Sequence, residues 1–204
     1  MKFCSLGSGS MGNCYVVTHN EQTLVIDCGF NISEFHKRLK KLEIDPLSIT
    51  AMLLTHEHDD HSRSIFSIAH KYNLPIFLTH GTYKMCQKKI NKSKVNKFIF
   101  INFLEDFKIG QINITPIPVP HDAREPVQFK FECRNKQIAI ISDLGFGNQM
   151  LIDQIKNIDA LILESNHDTH LLAKSKYPKN LKDRISGKYG HLSNTESAKI
   201  LDLI

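Results

Sequence analysis

The sequence predicts a layered α/β protein. Strand-like and helical runs alternate along the chain, the apolar share of 41% is ordinary for a globular protein, and 204 residues suit one domain. No internal repeat, low-complexity tract or linker interrupts the alternation.

Lys2 to Leu6, Cys14 to Thr18 and Thr23 to Asp27 read as short strands, with a turn from Gly7 to Asn13 between the first two. Ile32 to Glu43 is predicted helical, because Ile32, Phe35, Leu39 and Leu42 recur at helical spacing and Lys and Arg fill the other face. Asp45-Pro46 ends it. Ala51 to Leu54 is a continuous apolar run, the pattern of a buried strand. A helix over Ser64 to Tyr72, a strand at Pro75 to Leu78 and a helix over Thr82 to Ile90 follow. Further strands are expected at Phe98 to Ile101, Ile112 to Val119, Val127 to Cys133, Gln137 to Ile141 and Asp159 to Leu163. A last helix opens at Ser193-Asn194-Thr195-Glu196, with Ser193 as N-cap and Glu196 completing a capping box.

Composition narrows the classes. The formal charge is +5, from 26 Lys and Arg against 21 acids, which suits an anionic partner without requiring one. Five cysteines form no CxxC pair, which argues against a disulfide framework and a thiolate zinc site, and they read as small buried hydrophobes. No signal peptide is visible, and no segment approaches the roughly 20 apolar residues of a membrane span. A cytoplasmic protein without membrane contact is the expectation.

Chemistry concentrates at the end of the buried strand Ala51-Met52-Leu53-Leu54, in the run Thr55-His56-Glu57-His58-Asp59-Asp60-His61. Imidazole nitrogens and carboxylate oxygens are ordinary ligands of zinc and similar divalent ions. Residues two apart in an extended segment point the same way, so His56 and His58 can grip one ion together. Asp60 and His61 continue into the next turn, toward a second ion. A helical HExxH motif is excluded, since the two histidines are two apart rather than four.

Thr-His-x-His-x-Asp-His after a buried strand resembles the signature of the metallo-β-lactamase superfamily. Val25-Ile26-Asp27-Cys28-Gly29, Pro120-His121-Asp122 and Ser142-Asp143-Leu144-Gly145 are similar to the later and earlier segments of that family, in the same order. The resemblance implies a four-layer αββα sandwich with the metal loop at one edge of the sheets. It implies that His56, His58 and His121 bind a first metal, that Asp60 and His61 bind a second, and that Asp143 bridges both. It makes Asp27 a structural support of the ligand loop. The implied cofactors are two divalent ions, zinc or manganese.

The opening Leu6-Gly7-Ser8-Gly9-Ser10-x-Gly12-Asn13-Cys14, together with Glu164-Ser165-Asn166-His167-Asp168 and Gly190-His191-Leu192-Ser193-Asn194, resembles the bacterial YycJ (WalJ) branch, whose members are regarded as nucleases and are similar to ribonucleases Z and J. That resemblance implies that His191 faces substrate as an acid or charge stabiliser. It leaves His167 and Asp168 between support and plain loop. In the same branch a further strand bearing another metal-binding His follows the last helix. No such strand is visible after Ser193, so a single domain over 1–204 lacking its last strand or strands and helix is expected, with the second metal site short of one imidazole and the activity of the chain in doubt.

The function implied is a metal-dependent phosphodiesterase, an exonuclease on DNA or RNA, working through a hydroxide held between two metals and oriented by Asp60. Lys84, Lys88, Lys89, Lys92, Lys94 and Lys97 lie in a stretch without an acid, and Lys174, Lys176, Lys179, Lys182, Arg184 and Lys188 form a second basic set. Either can track a nucleic-acid backbone or be a solvated helix face; Lys88, Lys89 and Lys92 are the substrate contacts expected. The alternatives are a hydrolase of a small phosphodiester or thioester in the same fold, and an inactive metal-binding remnant.

Overall fold

The computed structural model describes residues 1–95, 97–103 and 105–204. The chain divides into two compact units, Met1–Pro116 with Ala123–Val127, and Ile117–Asp122 with Gln128–Ile204. Its strands form two sheets, one of six and one of five.

The first unit holds the six-stranded sheet, built from β1 (Lys2–Gly7), β2 (Cys14–His19), β3 (Gln22–Ile26), β4 (Ala51–Leu53), β5 (Ile76–Leu78) and β6 (Phe98–Phe100) in sequence order. β1, β2 and β3 are antiparallel, and β3 to β6 run parallel. The parallel half needs crossovers, which α1 (Ile32–Lys41), α3 (Ile65–Tyr72) and α4 (His80–Ser93) supply. Phe35 and Leu39 of α1, Ile65, Phe66, Ile68 and Ala69 of α3, and Cys86 and Ile90 of α4 pack with Val16, Val25, Met52, Ile76 and Leu78 of the sheet into one apolar core. The single turn α2 (Asp59–Ser62) follows β4. β7 (Phe107–Ile109) pairs antiparallel with β8 (Ile112–Pro118) across Gly110, whose φ of +58° suits glycine.

The second unit takes the end of β8 and most of β9 (Val127–Cys133), which pairs antiparallel with β10 (Lys136–Ile141); β10 pairs parallel with β11 (Ala160–Leu163). α5 (Gln149–Ile155) and α8 (Asn194–Leu201) cover these strands, with Leu151, Ile152, Ile155 and Ile200 packed on Ile117, Ala139 and Ile141. α6 (Thr169–Lys174) and α7 (Lys179–Ile185) bury no residue.

Most expected elements stand where the pattern places them. α4 begins at His80 rather than Thr82, because Thr79 accepts a hydrogen bond from the Thr82 amide and caps the helix. The Ser193–Glu196 capping box is formed. β7, α2, α5, α6 and α7 were not foreseen. All five cysteines are free, and Cys14, Cys28, Cys86 and Cys133 are buried. Among the described residues no helix is long and apolar enough to cross a membrane.

Candidate metal centre

In the first unit the His-rich run leaves the buried end of β4. His56 and His61 are wholly buried. His56 Nε2 lies 3.0 Å from His58 Nδ1, and the His56 and His61 rings are 4.2 Å apart between centroids. With half-buried His58 beside them, the three imidazoles form a donor set suited to a divalent ion.

Asp27 builds the support beneath them. It follows β3 with φ of +58° and is fully buried. Its Oδ1 accepts from the Thr55 amide at 2.9 Å, and its Oδ2 accepts from the Thr55 hydroxyl at 2.8 Å and faces His61 Nδ1 at 2.8 Å. A carboxylate on Nδ1 fixes ring orientation and leaves Nε2 as the ligand nitrogen. Burial pushes the Asp27 carboxyl up, against the opposing pull of His61 and of Thr55.

The glycine-rich turn after β1 delivers Asn13 to the same place. Asn13 Nδ2 lies 2.9 Å from His61 Nε2 and donates to Asp60 Oδ2 at 3.1 Å, while its Oδ1 accepts from Gly9 N at 2.9 Å. The Asn13 amide donates to the Asp60 carbonyl, and the Cys28 amide to the His61 carbonyl, each at 2.7 Å. A Cβ on Gly29 would fall on the Asp60 carbonyl, so only glycine admits this close approach.

In the second unit His121 is buried in the loop after β8, and its Nδ1 donates to the Gly190 carbonyl at 3.1 Å. Burial holds its pKa below the ordinary value, which favours the neutral ring a metal needs. Asp143 follows β10. Its carbonyl accepts from Gln128 Nε2 at 3.3 Å, and Gly145 N donates to Pro120 O at 2.7 Å, tying this loop to that of His121. Side chains on Gly145 and Gly190 would collide with the carbonyls of Lys188 and of Arg184 and Ile185 respectively.

His191 Nδ1 lies 2.7 Å from Glu164 Oε1 and 3.3 Å from Asp143 Oδ1. Burial pulls the His191 pKa down, but the hydrogen bonds to Asp143 and Glu164 outweigh it and raise the value to about 10. Glu164 follows β11, and its Oε2 also accepts from the amides of Leu144 at 2.9 Å and Leu192 at 3.2 Å. Ligand atoms of Asp143, Glu164 and His191 lie within 4.8 Å of one another.

Residues 7–190 match the model of the metallo-beta-lactamase superfamily. The chain belongs to that superfamily. Exodeoxyribonuclease YycJ of Bacillus anthracis is 32% identical over 200 residues, covering 97% of this chain and 75% of that protein. The metallo-beta-lactamase fold protein YhfI of Bacillus subtilis matches with a TM-score of 0.76 at 19% identity, over 98% of this chain and 81% of that one. The short form of human tRNase Z matches with a TM-score of 0.74 at 16% identity, over 100% of this chain and 88% of that one. The mixed α/β fold, with two sheets flanked by helices, is that of the metallo-beta-lactamase superfamily.

The first unit brings together His56, His58, Asp60 and His61, and the second brings together His121, Asp143 and His191. Glu164 was quoted within a motif without a role, yet it is the carboxylate that orients His191. Asp168 caps α6 by accepting from the Leu171 amide, while His167 makes an isolated bridge to Ser193. Lys89 turns onto the His-rich loop: its ammonium lies 2.5 Å from Asp59 Oδ1 and donates to Ser62 Oγ at 2.6 Å. Lys88 and Lys92 are exposed. In the second basic set Arg184 pairs with Asp122 at 2.5 Å, and Lys182 donates to the Ala173 carbonyl at 2.6 Å.

Proposed function

We propose that the chain is a metal-dependent exonuclease acting on DNA. His56, His58 and His121 would hold one divalent ion, zinc or manganese, and Asp60, His61 and Asp143 a second, with Asp143 shared. The observation that carries the reading is the close imidazole cluster of buried His56 and His61 with half-buried His58, held ready by Asp27 and Asn13. The relative named an exodeoxyribonuclease supports the choice of DNA.

Bound divalent ions supply an activated water and neutralise charge on the phosphate. The protein's own residues do the rest. Asp27 would keep Nδ1 of His61 occupied and so leave the lone pair on its Nε2. Asp60 would orient the attacking water and take its proton. His191, held by Glu164, would stabilise phosphate charge or the leaving oxygen. Lys88 and Lys92, four apart on α4, are spaced to follow a phosphate backbone. The free cysteines suit a reducing cytoplasm.

The test is end-labelled single- and double-stranded DNA, and RNA of the same sequence, incubated with the chain loaded with zinc, manganese or magnesium. Stepwise shortening of DNA from one end, lost after chelation and restored by metal, is the expected result. A metal-loaded, folded chain that leaves DNA and RNA intact but hydrolyses a small phosphodiester or thioester would overturn the proposal.

A further inference from the structure

We propose that Lys89 is a positioning residue for the metal loop, holding the segment that carries His58 in place from α4. The inference rests on the reading above that this loop holds metal.

An ammonium has three protons, and Lys89 has three acceptors. They are the Glu57 carbonyl at 3.2 Å, Ser62 Oγ at 2.6 Å and Asp59 Oδ1 at 2.5 Å. These acceptors bracket His58 and the one-turn helix α2. Ser62 Oγ extends the grip, lying 2.8 Å from the carbonyls of both Glu57 and His58. A lysine so engaged has no proton left for a phosphate.

The loop needs this support. His58 stands at the N-cap of α2 and makes no side-chain capping bond there. Asp27 and Asn13 grip the two ends of the run, at Thr55 and at Asp60 and His61. For the middle, the Arg124 amide holds the Glu57 carboxylate at 2.8 Å, and Lys89 holds the backbone. Partners one step behind a ligand typically change metal affinity 10–100-fold when removed.

Lys89→Met, Lys89→Arg and Lys88→Met separate the roles. Zinc affinity is read by competition with a chelating dye, cobalt(II) spectra report ligand geometry, and thermal melting is followed without metal. For Lys89→Met a zinc affinity lower by roughly 10–100-fold and altered cobalt bands are expected. Its metal-free melting point should fall by no more than about 4 °C. Lys89→Arg should restore most of the affinity, since the guanidinium offers donors to the same three acceptors. Lys88→Met should keep zinc affinity and instead lower the salt slope of DNA binding by about one. Wild-type zinc affinity in Lys89→Met, or a salt slope that falls as it does in Lys88→Met, overturns the assignment. So does a Lys89→Met chain that fails to fold without metal, because a plain fold brace behaves that way. A wild-type chain that binds no zinc or cobalt removes the functional reading itself, and this inference with it.

Discussion

Replacing Asp27 with Asn changes one atom and tests the logic of the loop. Asp27 accepts three hydrogen bonds, two from Thr55 and one from His61 Nδ1. In the variant, the amide oxygen can keep the Thr55 amide. The new NH2 then faces the Thr55 hydroxyl, which can rotate to accept. It also faces His61 Nδ1, which can accept only if the ring proton moves to Nε2. That tautomer presents N–H where the metal should bind. A carboxylate behind a ligating imidazole is typically worth 10–100-fold in metal affinity, or about 1.4–2.7 kcal/mol. Exchanging two charge-assisted bonds for neutral ones should destabilise the metal-free fold by about 2–3 kcal/mol. For a chain of this size that is a melting shift of roughly 4–12 °C.

The assay is metal content and affinity of Asp27→Asn against wild type, with melting curves taken before and after metal return. Wild-type metal affinity would refute the reasoning and would mean something specific. Burial raises the Asp27 carboxyl, and Asn imitates a protonated acid. Unchanged binding would therefore show that Asp27 is already protonated and that the tautomer of His61 is set elsewhere.

Three other outcomes are expected. Gly29→Ala puts a methyl onto the Asp60 carbonyl, which should cost about 1–3 kcal/mol of stability and lower bound metal, measured by melting and elemental analysis. His191→Ala should lower turnover on DNA while leaving metal content unchanged, since His191 is assigned to substrate; loss of metal in this variant would reassign it as a ligand. Lys92→Met should weaken DNA binding with little dependence on sequence and reduce its salt slope by about one, read by titrating DNA at several salt concentrations.

What could be read from the sequence follows from how local the signal is. His56, His58, Asp60 and His61 fall within six residues after a buried strand, so one glance holds the motif. Asp27 was reachable only through the family pattern, because its partners Thr55 and His61 lie 28 and 34 residues on. Glu164 was out of reach: nothing local tells a buried carboxylate at the end of β11 that its imidazole stands 27 residues later. The contacts of Lys89 are not legible in the sequence, because a lysine run looks the same whether its members face solvent or a neighbouring loop. Its three acceptors exist only once α4 lies beside α2. α6 and α7 were missed for the complementary reason: with no residue buried, neither carries a full apolar stripe.

The placement of the carboxylates has a common origin in the parallel strand pairs. The last residues of β3, β4 and β10 (24–26, 51–53 and 138–141) are apolar and buried, so at this end polar groups enter only past the strands. Parallel neighbours end on the same side, so their first polar residues meet. In the first unit Ile26 stands opposite Leu53; one step on, the Asp27 amide donates to the Leu53 carbonyl, and Thr55 comes within reach of the Asp27 carboxylate. In the second unit Ile141 stands opposite Leu163, the Glu164 amide donates to the Ile141 carbonyl, and the Glu164 side chain returns to accept from Leu144 beyond Asp143. Each pair thus yields a fixed carboxylate at a strand end, and each carboxylate takes Nδ1 of one imidazole, His61 in one case and His191 in the other. The surroundings then separate their uses. His61 is sealed, with the Asn13 amide nitrogen against Nε2, an arrangement that requires a lone pair there and so selects the ligand tautomer. The His191 side chain keeps 22% of its surface open to solvent, as its proposed role toward substrate requires. A one-residue slip in either parallel register would turn the carboxylate to the opposite face of its sheet, which is why the apolar core beneath these strands is also what aims the site.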